Sequence, residues 1–137
     1  MEINGIAHTF ITAGDFAASK AFYEKLLPAL GLTPVLDGED TYYCVGGRTA
    51  IGIRASTAGP ANNRFDQDRC GLHHICFRMR EREDVDELHG LLQEWGATIV
   101  HDPQEDGWAP GYYSVLFEDP DGVRLEANFV PGKGLLS

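Results

Sequence analysis

The sequence carries one motif twice. HTFITAGD from His8 and HICFRMRE from His74 superpose at an offset of 66 residues, each a strand-like run that opens on a histidine and leads into an acidic helix start. Toward the far end of each copy, GRTAI at residues 47–51 matches GVRLE at residues 122–126, which sets Glu126 opposite Ile51. A repeat of this kind marks one supersecondary unit used twice, so a fold open to one half must be open to the other.

The elements follow the same order in both halves. Residues 3–11 read as a strand, Gly14-Asp15 as a turn and N-cap, and the chain from Phe16 as a helix, with Phe16, Ser19, Phe22, Tyr23, Leu26, Leu27 and Leu30 at helical spacing. Pro28 predicts an end near Leu27, with Gly31 closing the last turn. Strands at residues 33–36, 41–45 and 49–54 follow, separated by DGED and GG turns. In the second half, strands at 72–79, 98–101, 111–118 and 123–129 accompany a helix at 83–95 with the apolar stripe Val85, Leu88, Leu91, Leu92 and Trp95. The DPDG turn of residues 119–122 joins the last pair of strands. The expected architecture is α+β: two tandem βαβββ modules at about residues 1–55 and 71–130, a polar linker at about 56–70 and a tail at 131–137.

Within GLHHICFRMR, residues 71–80, strand alternation places His73, Ile75, Phe77 and Met79 on one face and His74, Cys76 and Arg78 on the other. The first row calls for a helix over it. The second suits a pocket wall, and the repeat gives His74 a counterpart in His8. His73, His89 and His101 are assigned to structure or solvent.

Charge narrows the partners. Eleven basic and twenty-one acidic residues leave a formal charge of −10, so nucleic acids and anionic membranes, which need basic patches, are not expected partners. The excess acid serves solubility or attracts a cationic small molecule. Residues 1–11 lack the pattern of a secretory signal, and no run approaches the roughly 20 apolar residues of a membrane span; the expected location is cytoplasmic. Cys44, Cys70 and Cys76 form no CxxC pair, so reduced thiols are expected, with Cys44 and Cys76 as small buried hydrophobes.

Glu126 lies in RLEANF between apolar residues. An ionised carboxylate there costs several kcal/mol unless something compensates it, and a divalent cation is one such partner. Two histidines and a glutamate leave about three positions of a six-coordinate ion open for substrate, water or dioxygen. Singly, each residue has a simpler account: a strand-end histidine bonded to backbone, or a glutamate paired with Arg78 or Arg124.

His8, His74 and the DPDG turn followed by Glu126 resemble the vicinal oxygen chelate superfamily, which includes glyoxalases, bleomycin-resistance proteins and extradiol dioxygenases. The resemblance covers nearly the whole chain. It implies curved mixed sheets forming a cup around one divalent metal ion (Mn, Ni, Co, Zn or Fe), with His8, His74 and Glu126 as ligands, and a homodimer. Departures narrow the chemistry. The fourth protein ligand of glyoxalase I maps onto Ile51, and the tyrosine of ring-cleaving dioxygenases and fosfomycin-resistance transferases onto Leu116. The ring-cleaving enzymes' additional histidine falls in the Trp108 region, and acidic Asp106 is a poor substitute for the transferases' phosphonate-binding basic residues.

The expected function is therefore a glyoxalase-like lyase, isomerase or epimerase acting on a small oxygen-bearing molecule through a metal-stabilised enolate or oxyanion, with Glu126 as base. Arg78, Arg124, Trp108 and Tyr112 are the candidate substrate-binding residues. A metal-free protein that sequesters a cationic drug and a non-haem Fe(II) dioxygenase are the alternatives.

Overall fold

The structure, a computed structural model, describes residues 1–59 and 64–134. Residues 60–63 of the expected linker and 135–137 of the expected tail lie outside the described residues. The chain divides into two compact units, Met1–Arg64 and Phe65–Ser137.

The first unit contains β1 (Thr9–Ala13), α1 (Phe16–Ala29), β2 (Thr33–Asp37), β3 (Thr41–Gly46) and β4 (Thr49–Ala55). Its sheet has the order β1-β4-β3-β2, with β1 parallel to β4 and the other pairs antiparallel. The second unit repeats this with β5 (Ile75–Arg78), α2 (Arg82–Glu94), β6 (Thr98–Glu105), β7 (Tyr113–Glu118) and β8 (Arg124–Phe129), in the order β5-β8-β7-β6. The α+β class and both βαβββ modules are as the sequence predicts.

Local chemistry explains the helix ends. The Asp15 carboxylate accepts from the Ala18 amide at 3.0 Å and caps α1, satisfying one of the donors a helix start leaves free. The helix runs two residues past Leu27, because Pro28 lies on the exposed side of the last turn while Leu26 and Leu27 are fully buried. Bonds from Leu30 to Leu26, Gly31 to Pro28 and Leu32 to Leu27, at 2.9–3.0 Å, then close it through Gly31 at φ +81°. In α2, the Glu81 amide donates to the Asp84 carboxylate at 3.0 Å, and Val85, Leu88 and Leu92 are buried.

The first strand of each unit is shorter than its pattern suggests. β1 begins at Thr9, where its ladder with β4 begins opposite Ile51; Ile3 and Ile6 are exposed. β5 likewise begins at Ile75, opposite Leu125. Without a paired strand alongside, alternating sequence does not produce a strand, and both His8 and His74 sit one residue before theirs. β6, conversely, extends to Glu105 through two register shifts around the segment holding Pro103, the irregularity expected where proline enters an edge strand.

The ladders also revise the pairing of the two copies. Ile51 pairs with Thr9, and Leu125 with Ile75, the residue 66 positions later. Glu126, paired with Cys76, is therefore the equivalent of Gly52, paired with Phe10, and not of Ile51. Matching glycines misled because they occupy turns of different length. Gly47 and Arg48, at φ 57° and 63°, form a two-residue hairpin turn of the type that needs positive φ at both positions. The second hairpin spends residues 119–123, held by the Asp119 carboxylate, which accepts from the amides of Asp121 at 2.9 Å and Val123 at 2.8 Å.

Each core lies on one face of its sheet. Ile11, Ala13, Tyr42, Cys44, Ile51 and Ile53 share a buried face in the first unit; Val115, Phe117, Leu125 and Ala127 do so in the second. The opposite faces carry the candidate chemistry.

Candidate metal centre

In the second unit, β8 lies between β5 and β7, with Cys76 and Leu116 flanking Glu126 and with Arg78 and Ser114 flanking Asn128. Glu126 is 8% exposed. Its Oε2 lies 3.2 Å from His74 Nε2, and its Oε1 accepts a short hydrogen bond from the Tyr112 hydroxyl. Burial first, then the bond to Glu126, pushes the Tyr112 phenol above its usual range. Tyr112 therefore keeps its proton and remains a donor. Cys76 corrects the expectation of a buried hydrophobe: it is exposed, whereas Cys44 is buried. Partial loss of water around its sulfur, then the Glu126 charge, pushes the Cys76 thiol up to about 12. It is un-ionised at neutral pH and a poor nucleophile there.

His73 joins this group unexpectedly. Its Nδ1 lies 2.8 Å from Nδ1 of His74, with the rings nearly perpendicular. Alternation assigns the two rings to opposite faces, but alternation governs strands, and β5 starts only at Ile75. One Nδ1 donates and the other accepts. With His74 as donor, its Nε2 lone pair is free on the side of Glu126, the arrangement by which an outer partner sets a ligand's tautomer.

The other sequence candidates are placed less centrally. Arg78 donates to the backbone carbonyls of Val130 at 3.1 Å and Gly132 at 3.4 Å, holding the chain that follows β8. Arg124 pairs with Glu118 at 3.2 Å across β7 and β8. Trp108 is 76% exposed in the turn before β7. His89 and His101 meet Asp102, the first at its carboxylate (3.0 Å), the second at its carbonyl (2.8 Å).

His8 belongs to the first unit. It is exposed at the entrance to β1, its ring edge-on to Phe10 with centroids 5.8 Å apart. Phe10 lies across Gly52 and stacks on Tyr43 at 5.4 Å and 7°. A β-carbon on Gly52 would fall 2.3 Å from that ring. The position equivalent to Glu126 is thus occupied by an aromatic ring and, like Ile51, offers no ligand. Gly52→Ala is expected to cost about 1 kcal/mol or more by displacing Phe10. In a Phe10→Ala background the same change should instead stabilise by about 0.5–1 kcal/mol, because alanine suits a strand better than glycine. Urea unfolding of the four proteins of the cycle reads this reversal of sign.

Within either unit taken by itself, no group of three or more His, Cys, Asp or Glu side chains among the described residues is gathered closely enough to hold a metal. His74 and Glu126 are a pair. Their 3.2 Å separation matches two neighbouring ligands of one ion, since bonds of about 2.1 Å at right angles put ligand atoms roughly 3.0 Å apart. The donor types also fit: an imidazole nitrogen and a carboxylate suit Zn, Fe, Ni and Mn.

Comparison with known proteins agrees with the topology. Among solved structures, a glyoxalase-type protein of Bacillus halodurans is 27% identical, with a TM-score of 0.81 and coverage of 93% of this chain and 96% of that one. A glyoxylase/bleomycin resistance protein/dioxygenase domain from Frankia sp. EAN1pec is 26% identical at a TM-score of 0.75, covering 93% and 98%. Lactoylglutathione lyase of Agrobacterium tumefaciens, 21% identical at a TM-score of 0.68 over 94% and 96%, shares the fold. The uncharacterised protein YqjT of Bacillus subtilis is 24% identical over 127 residues, 87% of this chain and 94% of that protein. The family model described as Glyoxalase/Bleomycin resistance protein/Dioxygenase superfamily matches residues 5–127, most of both βαβββ modules, and the chain belongs to that superfamily.

Proposed function

We propose that the protein is a glyoxalase-like, metal-dependent enzyme of the lyase, isomerase or epimerase type, acting on a small oxygen-bearing organic molecule, with His8, His74 and Glu126 as ligands of one divalent ion. The supporting observation is the approach of His74 Nε2 to the buried Glu126 carboxylate at 3.2 Å. When bound, the ion supplies Lewis acidity, polarising a substrate carbonyl or hydroxyl oxygen. The remaining roles fall to the chain. Tyr112 holds Glu126 through Oε1 and keeps its own proton, so the carboxylate is oriented without being protonated by its neighbour. Glu126 would take a proton from a carbon beside a substrate oxygen and return it to the same or the adjacent carbon. Leu116, opposite Glu126 on β7, supplies no acid, which favours one-base proton transfer over ring cleavage.

A second reading, a metal-free protein that binds a cationic molecule, has one observation in its favour: His74 and Tyr112 can satisfy the Glu126 carboxylate without an ion. The formal charge of −10 is compatible with it. Elemental analysis of tag-free protein separates the readings. The enzyme reading expects one equivalent of Mn, Fe, Co, Ni or Zn per chain, lost in both His8→Ala and His74→Ala. No stoichiometric metal in the native protein, or metal unchanged in both variants, overturns it. The same reading includes a homodimer and a cytoplasmic location, the second of which the three free cysteines fit.

A further inference from the structure

We infer that His73 is a positioning residue that sets the tautomer of His74, donating to it when His74 faces Glu126 alone and accepting from it when His74 Nε2 holds an ion. This rests on the proposed role of His74 as a ligand and adds a residue to the same site, within the second unit.

The proton count between the two rings carries the inference. The Nδ1 atoms of His73 and His74 lie 2.8 Å apart, where one proton must stand between them, because two lone pairs would repel and two N–H groups would collide. In a neutral imidazole the state of the second nitrogen then follows. His74 Nε2 lies 3.2 Å from Oε2 of Glu126, a carboxylate that only accepts, so that bond needs the His74 proton on Nε2. His74 Nδ1 is then bare, and His73 donates to it. An ion at His74 Nε2 needs the opposite: the His74 proton on Nδ1, with His73 accepting. The backbone allows the contact, since the β5 ladder starts only at Ile75 and adjacent side chains ahead of it are free to face one another, here with ring centroids 5.0 Å apart.

A carbonyl or carboxylate, the usual outer partner of a ligand histidine, can only accept. Beside His74 it would leave the metal-free imidazole between two acceptors, short of one proton unless charged. A histidine serves both states with neutral rings. In passing from the first to the second, the Nε2 proton of His74 goes to solvent and the Nδ1 proton of His73 crosses to His74. The exposed His73 ring then takes a proton from solvent at Nε2, so the pair gains and loses none.

The test is proton–nitrogen correlation NMR on protein with isotope-labelled histidine rings, with and without zinc, which shows the nitrogen that carries the proton in each ring. Metal-free protein is expected to show His74 protonated at Nε2 and His73 at Nδ1, and zinc should reverse both. A ring that merely held the loop in place would not change tautomer. His73→Ala should weaken zinc binding by at least about tenfold, the lower end of the loss when a ligand's outer partner is removed, and His73→Asn should restore it to within about threefold of native. The asparagine amide can donate or accept from nearly the place of Nδ1, and because His73 is exposed both variants should fold. His73 in one tautomer with and without bound zinc, or zinc affinity unchanged in His73→Ala, overturns this inference and leaves His74 as a ligand. Zinc that leaves the His74 ring signals of native protein unmoved overturns the metal-site reading, and this inference with it.

Discussion

Glu126→Gln is expected to weaken binding of a divalent ion by more than about 100-fold, because removing even a group that merely orients a ligand costs about 10–100-fold. The substitution is nearly isosteric, and its hydrogen bonds can survive: the amide oxygen still accepts from Tyr112, and the amide nitrogen can donate to His74 Nε2. The folded protein should therefore persist, with a thermal midpoint within a few degrees of native, while metal affinity measured by competition with a chelating dye collapses. An unchanged affinity would remove Glu126 from the ligand set and leave the His74–Glu126 contact as an ordinary ion pair.

The largest loss of stability is expected from Phe117→Ala. Phe117 is fully buried in β7, between Ile99 of β6 and Leu125 of β8. Truncating a buried phenylalanine costs about 3–5 kcal/mol, the sum of lost transfer energy and the cavity left behind. That is a large fraction of the roughly 5–15 kcal/mol by which domains are stable. Leu36→Ala, at a β2 position 48% exposed, is the control and should stay within about 0.5 kcal/mol. Denaturant unfolding of the two variants should separate them by well over 1 M in urea.

The repeat made most of the fold legible. His8 and His74 anchor an offset that carries over to the strands themselves, β1 at Thr9–Ala13 and β5 at Ile75–Arg78. Alternation also assigned the faces correctly within the strands: Cys76 and Arg78 are exposed, Ile75 and Phe77 less so. Two things were not legible. Strand length depends on a partner strand, and Ile3 and Ile6 have the right pattern but no paired strand. Side-chain reach is the other. Parity could not show that Arg78 would turn to the carbonyls of Val130 and Gly132, or that the Nδ1 atoms of His73 and His74 would meet. The sequence makes Tyr112 a candidate substrate-binding residue and does not show its bond to Glu126, which depends on the turn before β7, where the Tyr112 amide donates to the Ala109 carbonyl at 3.0 Å.

The unequal hairpin turns govern how chemistry could be moved from one copy to the other. Counting from glycine to glycine directs a transplanted carboxylate to position 51, where it would enter the apolar interior beside Cys44. Counting along the hydrogen-bonded ladder directs it to position 52, where, with Phe10 cut back to cysteine, it would stand as Glu126 does. The length of a hairpin turn thereby decides whether the transplanted carboxylate reaches the face that Glu126 occupies in its own module or breaks the core of the module that receives it.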